Sequence, residues 1–395
     1  MIAWFRYICL IVSLIITMPE LLSAQRLVSQ RQEDVEAGLL YNESVYILSN
    51  YSCLSSNSPE KLSLDELLRK QIEGFYFYLK RDTETNVLLL RKPDGTFTPF
   101  SESLEAIKTA LDADSTKVMT LFLDFYVETE LESSFKEIGL MEYVLEYDTK
   151  NGWPSLKDML SSGKRLVVFE VQKHLNSPSW LHNMRDFVEH TDADWGNQPE
   201  GVESFDERLK KNLSIFTGYK FLETSRGNSN DISALARQTP YLIESFKRAW
   251  IRDGRVPNFI LVDKYYAWLD VSLVTFRNFD IIYGAVTNNN ELLNYVNWDG
   301  MSNYTTGKYC FPLEPGAELM LSPISPGYRI EPATVYVSGT QRKAGASDFK
   351  ARPLRIDEDI EIYLPFEGDE KDGSSNHNLT VSRNVEFIQD PIRGQ

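Results

Sequence analysis

The chain has 395 residues, 42% of them hydrophobic and 25% charged, with a formal net charge of −16. That length exceeds one ordinary domain, and the apolar share supports a sizeable core. The acidic balance excludes nucleic acid as the expected partner and argues against generic adhesion to anionic membranes.

In chain order, residues 1–24 read as an export signal. Arg6 supplies the positive start, Tyr7–Met18 is apolar, and Leu22-Ser23-Ala24 is a small-residue cleavage site before Gln25. The apolar run is shorter than the roughly 20 residues a bilayer needs, so no transmembrane span is expected after cleavage. The expected location is secreted, periplasmic or at the cell surface. Cys53 and Cys310 remain in the mature chain, and pairing and burial as separate thiols both stay open. Sequons stand at Asn42, Asn50, Asn212, Asn303 and Asn378.

Residues 25–43 read as a loose lead-in. Val45–Asn50 is a short apolar strand. Ser63 and Glu66 form a capping-box pair opening a helix with Leu64, Leu67, Leu68 and Ile72 on one face, closed by Gly74. Phe75–Lys80 and Val87–Leu90 are strands, and Lys92–Gly95 is a turn. Ser101–Leu111 is helical, Val118–Tyr126 is a core strand, and Glu130–Tyr147 reads as helix with Gly139 weakening its middle. In Trp153–Val171, Pro154 and Ser155 start a helix with Leu156, Met159 and Leu160 in phase. Gly163 ends it, and Leu166–Val171 is a strand apolar on both sides, the habit of parallel sheets. His182 and His190, eight residues apart, could share a helix face, but without further ligands they make no zinc site. Leu213–Phe221 and Pro257–Lys264 are further strands. Asp231–Ile251 and Leu269–Arg277 are helical, and Ile281–Val286 is placed to close a barrel.

Alternating strands and helices imply a parallel α/β fold, and the length favours a TIM-type (β/α) barrel over residues 44–298. Residues 299–395 are rich in Pro, Gly and short β-leaning runs such as Thr334–Ser338, Ile360–Pro365 and Asn378–Phe387, and read as an all-β accessory domain. In such barrels chemistry sits at the C-terminal strand ends. Those ends carry Ser49, Asn50, Lys80, Arg81, Arg91, Lys92, Asp124, Glu170 to His174, Lys220, Asp263 and Lys264.

Several stretches together resemble the X-domain of phosphatidylinositol-specific phospholipase C, within the PLC-like phosphodiesterases. Trp153–Phe169 is similar to the family's "W-P-T-L-x-x-M-I-x-x-G-K-R-L-V-V-F". Phe100–Asp112, Leu121–Val127, Gln71–Tyr76, the stretch from Ser49 to Ser52, and Arg255–Tyr265 resemble further family motifs in the same order. The resemblance covers residues 44–280. It implies phosphodiester cleavage by two histidines, one taking the proton of the attacking hydroxyl and one protonating the leaving oxygen. An Arg or a bound calcium offsets the charge.

Here the first His position falls on Ser49 and the second on Arg91 or Lys92, while the turn's Arg is Tyr76. Serine is no base near neutral pH, and Arg is a poor proton donor. Of the implied metal ligands only Asn50 and Asp124 remain, too few for calcium's six to eight oxygens, so no metal or cofactor is expected. His174, Glu170 and Asp124 are the candidates for a rearranged acid–base site. Asn50, Lys80, Arg81, Arg91, Lys92, Lys220 and Lys264 are the candidates for holding an anion.

Three functions follow as expectations. The first is a pseudoenzyme binding an anionic small molecule, a lipid head group or an acidic glycan. The second is an active phosphoric diester hydrolase with a rearranged site, and the third is a surface adhesion module using the β domain.

Overall fold

Tyr46–Ser49 (YILS) is buried at every residue, and this short segment is the first strand, β1, of the central sheet. The structure is a computed structural model that describes residues 31–52, 62–69, 72–125, 131–172, 177–192, 213–217, 243, 246–247, 250–251, 254–262, 277–299, 304–339, 343–345 and 348–355. It divides into two compact units. One comprises Met1–Ile281, Cys310–Ala317 and Gly339–Ala344, and the other Ile282–Tyr309, Glu318–Ser338 and Gly345–Gln395. Residues 282–298, read with the barrel from the sequence, lie in the second unit.

In the first unit, helix α1 (Leu64–Arg69) leads into β2 (Gly74–Arg81), which turns back through a hairpin of β3 (Leu88–Arg91) and β4 (Phe97–Pro99). Then follow α2 (Phe100–Ala113), β5 (Met119–Asp124), α3 (Leu131–Ile138), α4 (Leu156–Ser162) and β6 (Leu166–Glu170). Next come β7 (Leu181–Asn183), the one-turn α5 (Met184–Phe187), β8 (Val188–Asp192), β9 (Leu213–Thr217) and β10 (Phe259–Val262).

The sheet order is β7-β6-β5-β2-β1-β10-β9-β8, and each adjacent pair is parallel. From β1 the order runs with the chain through β2, β5, β6 and β7, and on the other side back through β10, β9 and β8. This is the cyclic order of a (β/α) barrel. A β7–β8 pairing is not among those described, so the sheet is an open round of the barrel.

Local sequence signals explain the elements. Ser63 and Glu66 reciprocate as a capping box, with Ser63 N–H donating to Glu66 at 2.7 Å and Glu66 N–H to Ser63 Oγ at 3.3 Å. Ser155 Oγ accepts from Asp158 N–H at 3.1 Å, and Gly163 ends α4 at φ 73°. Gly139 sits at φ 82°, which stops α3 at Ile138 and leaves a single 3-10 turn at Leu140–Glu142, so the long helix read over 130–147 is cut short.

Gly74 does not close α1. It opens β2, where an added Cβ would lie 2.2 Å from the Thr120 carbonyl oxygen and 2.4 Å from a Leu48 methyl. The glycine is needed for close strand approach.

The interior is aromatic. Phe122 stacks on Phe169 at 5.0 Å and meets Phe259 edge-on at 5.2 Å. The segment read as a loose lead-in is packed. Leu39 and Tyr41 are fully buried, Tyr41 lies 4.9 Å from the Trp153 ring, and its hydroxyl bonds Thr120 Oγ1 at 2.7 Å. A large apolar residue beside an open barrel end buries more surface by plugging it than by staying in solvent. Near the same end, the buried Glu73 carboxylate accepts from Arg31 at 2.5 Å and from Arg277.

The second unit is β-rich. β11 (Asp280–Asn288) does not join the parallel sheet as expected. It pairs antiparallel with Glu291–Leu292 and parallel with Phe349–Pro353. Its apolar run breaks at the exposed Tyr283, so it lacks the two-sided burial of a barrel strand. Trp298, Tyr309 and Phe349 form the aromatic centre, and Val335–Ser338 is a strand as read. The runs at 360–365 and 378–387 lie outside the described residues.

Candidate anion site at the strand ends

Register fixes which side chains share a face. Leu48, Gly74, Thr120 and Val167 are successive partners across β1, β2, β5 and β6, and Tyr76, Phe122 and Phe169 are another such row. These residues face the aromatic interior. With a period of two, Tyr78 and Lys80 on β2 and Asp124 on β5 continue that face toward the C-terminal rim. Ser49, partner of Phe75, is on the opposite side, where Phe77 packs against Phe100 of α2 at 5.9 Å. Ser49 is buried there, so the position implied for the first histidine holds a hydroxyl turned toward the helices.

One rung crosses four strands at the rim. Tyr78 partners Asp124, and Arg91 partners Phe97. In the β2–β3 register Leu79 stands opposite Leu90, which puts Arg91 opposite Tyr78. The Arg91 guanidinium carbon lies 5.9 Å from the Tyr78 ring centroid, and Lys80 Nζ sits 3.8 Å from the Phe97 centroid. The row therefore reads Phe97, Arg91, Tyr78, Asp124, with Lys80 alongside. At strand spacings of about 4.8 Å, the Arg91 and Asp124 backbones stand roughly 10 Å apart with Tyr78 between them.

Asp124 accepts from the Tyr76 hydroxyl at 3.1 Å and from Gln172 Nε2 at 3.4 Å. Its donors are thus the neutral Tyr76 hydroxyl and Gln172 amide. The Arg91 side chain carries a buried Nε with no hydrogen-bond partner among the described residues. Arg81 opposes Leu88 on the other face, and Lys92 belongs to the turn closed by Gly95 N–H on the Lys92 carbonyl. Asn50 follows β1 and is half-buried. Of the seven anion candidates, Lys80 and Arg91 are brought together on one face, and Lys220 and Lys264 lie outside the described residues.

The rearranged acid–base trio is not assembled from its described members. Glu170 is the partner of Leu123, one residue before Asp124, so the two carboxylates point to opposite faces. Glu170 is buried and accepts from Ser177 Oγ at 2.6 Å and Asn183 Nδ2 at 3.2 Å. His174, Asp263 and His377 lie outside the described residues.

His182 and His190 sit on different strands, β7 and β8, not on one helix face. The His182 ring packs in the core against Trp153 and Phe187, and its Nε2–H donates to the Leu145 carbonyl at 3.1 Å. Burial holds its imidazole below the ordinary histidine range.

Calcium, implied by the resemblance, needs six to eight oxygens. Of the ligand positions the resemblance implies, Asp124 is the acidic one described, and both its oxygens already accept hydrogen bonds. Among the described residues no group of three or more His, Cys, Asp or Glu could hold a metal. The described residues at the rim do not fit calcium.

Tyr78 and Phe97 are not among the strand-end candidates of the sequence, and Ser52 and Gln172 fall within stretches named there without a role of their own. The signal for the first was present. In GFYFYLKR, Tyr76, Tyr78 and Lys80 recur every second residue, with Phe75, Phe77 and Leu79 between them, which marks one polar-tipped face.

The family model PI-PLC X 1 matches residues 90–199, which begins in β3 and ends beyond β8. A phosphatidylinositol-specific phospholipase C from Staphylococcus aureus is similar at 13% identity over 62% of this chain and 97% of that one, with a TM-score of 0.38. The enzyme from Listeria monocytogenes gives 13% identity, 62% and 98% coverage, and the same TM-score. S. officinalis PLC21 gives 14% identity, covers 57% of this chain and 30% of its own, with a TM-score of 0.34. No curated protein matches the chain. Residues 90–199 thus match the PI-PLC X domain model, and the described strands form an α/β parallel sheet in barrel order with further β-sheets toward the C-terminus.

Proposed function

We propose that this PLC-like phosphodiesterase-fold protein is an exported pseudoenzyme that holds an anionic ligand at the strand ends without cleaving it. The ligand is a phosphoinositide-like head group or an acidic glycan. The observation that carries the reading is the pairing of Lys80 and Arg91 on one face, each over an aromatic ring, with neither bonded to a carboxylate among the described residues. Such cations are available to an incoming phosphate, sulfate or carboxylate. The aromatic faces of Phe97 and Tyr78 keep them aligned and partly desolvated.

Cleavage needs proton transfer, and each acid–base group contributes about 10²–10⁴-fold. Ser49 and Arg91 supply neither a base nor an acid near neutral pH. Incubation with phosphatidylinositol and glycerophosphodiesters, with product analysis for inositol phosphate or glycerol phosphate, tests the inert half of the reading. No product above background is expected. Turnover that disappears in His174→Ala overturns it in favour of an active hydrolase.

A further inference from the structure

Ser52 follows β1 in the chain and is buried, yet its hydroxyl bonds two other strands. Its Oγ–H donates to the Arg91 carbonyl at 2.9 Å, and its Oγ accepts the Tyr78 N–H at 2.8 Å. The described β2–β3 register stops at Leu79 opposite Leu90. At the next rung, between Tyr78 and Arg91, one hydroxyl group spans both main chains. Tyr51, beside it, is anchored edge-on against Phe77 at 5.7 Å, so Ser52 is held from its own side as well.

We propose that Ser52 is the positioning residue of the anion site, setting the separation and aim of Arg91 and Tyr78 through their backbones. The proposal rests on the reading of Lys80 and Arg91 as the anion-binding pair. Arg91 Nε makes no hydrogen bond of its own among the described residues, so the guanidinium takes its direction from the main chain that Ser52 fixes. A serine is suited to this place because one hydroxyl both donates and accepts, which alanine cannot do. Without it, the Tyr78 N–H and the Arg91 carbonyl lose their shared partner at a buried site, and the hairpin rung is free to shift.

The test is calorimetric titration of inositol 1,4,5-trisphosphate into the full chain and into Ser52→Ala, Ser52→Thr and Ser52→Cys, with melting temperatures recorded for each. Thermal stability alone does not report positioning, so the affinity order is the readout. The expected order is wild type equal to Thr, then Cys, then Ala, with the alanine variant weakened about five- to tenfold, the size of one lost hydrogen bond. If Ser52→Ala does not fold, the order of the serine, threonine and cysteine forms decides. Alanine or cysteine binding as tightly as wild type, or threonine failing to rescue while its melting temperature matches wild type, overturns the proposal. Absence of binding by the wild type refutes the anion-site reading itself, an outcome distinct from wild-type binding that Ser52 does not influence.

Discussion

Asp124 and Glu170 end neighbouring parallel strands, and their side chains lie on opposite faces of the sheet. The cause is register: Leu123, not Asp124, stands opposite Glu170. The two carboxylates therefore have separable roles. Asp124→Asn removes a negative charge next to Tyr78, on the same rung as Arg91 one strand further on, so anion affinity should rise severalfold while stability changes little. Glu170→Ala strips a buried acceptor from Ser177 and Asn183 and should cost about 1–3 kcal/mol of stability with anion affinity unchanged. Paired titration and urea unfolding of the two variants check this. Equal effects of both variants on binding would contradict the opposite-face assignment.

Glu73 is held between Arg31 and Arg277, all three buried, with Asp34 near Arg31 at 3.4 Å. Removing the one carboxylate that both guanidinium groups share leaves buried positive charge. Glu73→Ala should lose about 3–5 kcal/mol in urea unfolding. A loss below 1 kcal/mol would show that this network is screened and does not hold the lead-in to the barrel.

His182 links stability to pH. Burial lowers its folded pKa below the ordinary 6.5. The folded state therefore keeps it neutral while the unfolded chain takes up a proton below about pH 6.5. Stability should be level in this respect above pH 6.5 and decline as pH falls through and below it, at up to about 1.4 kcal/mol per pH unit. His182→Gln retains a donor for the Leu145 carbonyl without titrating, so its stability profile between pH 7 and 5 should be flatter by up to one proton. An unchanged slope would mean that the imidazole takes up its proton equally in the folded and unfolded chain.

Much of the barrel was legible because its signals are local. The Ser63–Glu66 box, the Ser155 cap and the Gly163 stop are each made within one turn, and strands such as Leu166–Glu170 declare two-sided burial by an unbroken apolar run. What was missed depends on partners distant in sequence. Gly74 looks like a helix end until Thr120 and Leu48 are seen against it. Tyr41 looks like part of a polar lead-in until the open barrel end it fills is in place.

The site followed the same division. Cations at strand ends could be read, and Lys80 and Arg91 were among them, but which cations share a face is a matter of register between strands. That is why Arg81, one residue from Lys80, drops out, and why Ser52 could not be tied to Arg91 across 39 positions.

Lys80 and Arg91 are proposed to hold an anion together. Isothermal titration of inositol 1,4,5-trisphosphate and of a sulfated disaccharide tests it most directly, in the wild type, in the Lys80→Ala/Arg91→Ala double variant, and in Lys136→Ala. Lys136 is an exposed lysine paired with Glu132 on α3 and serves as the control. Saturable binding of at least one ligand is expected at or below millimolar concentration, weakened by added salt, abolished in the double variant and retained in the control. No binding of either anion at millimolar concentration, or binding that the double variant retains, would contradict it.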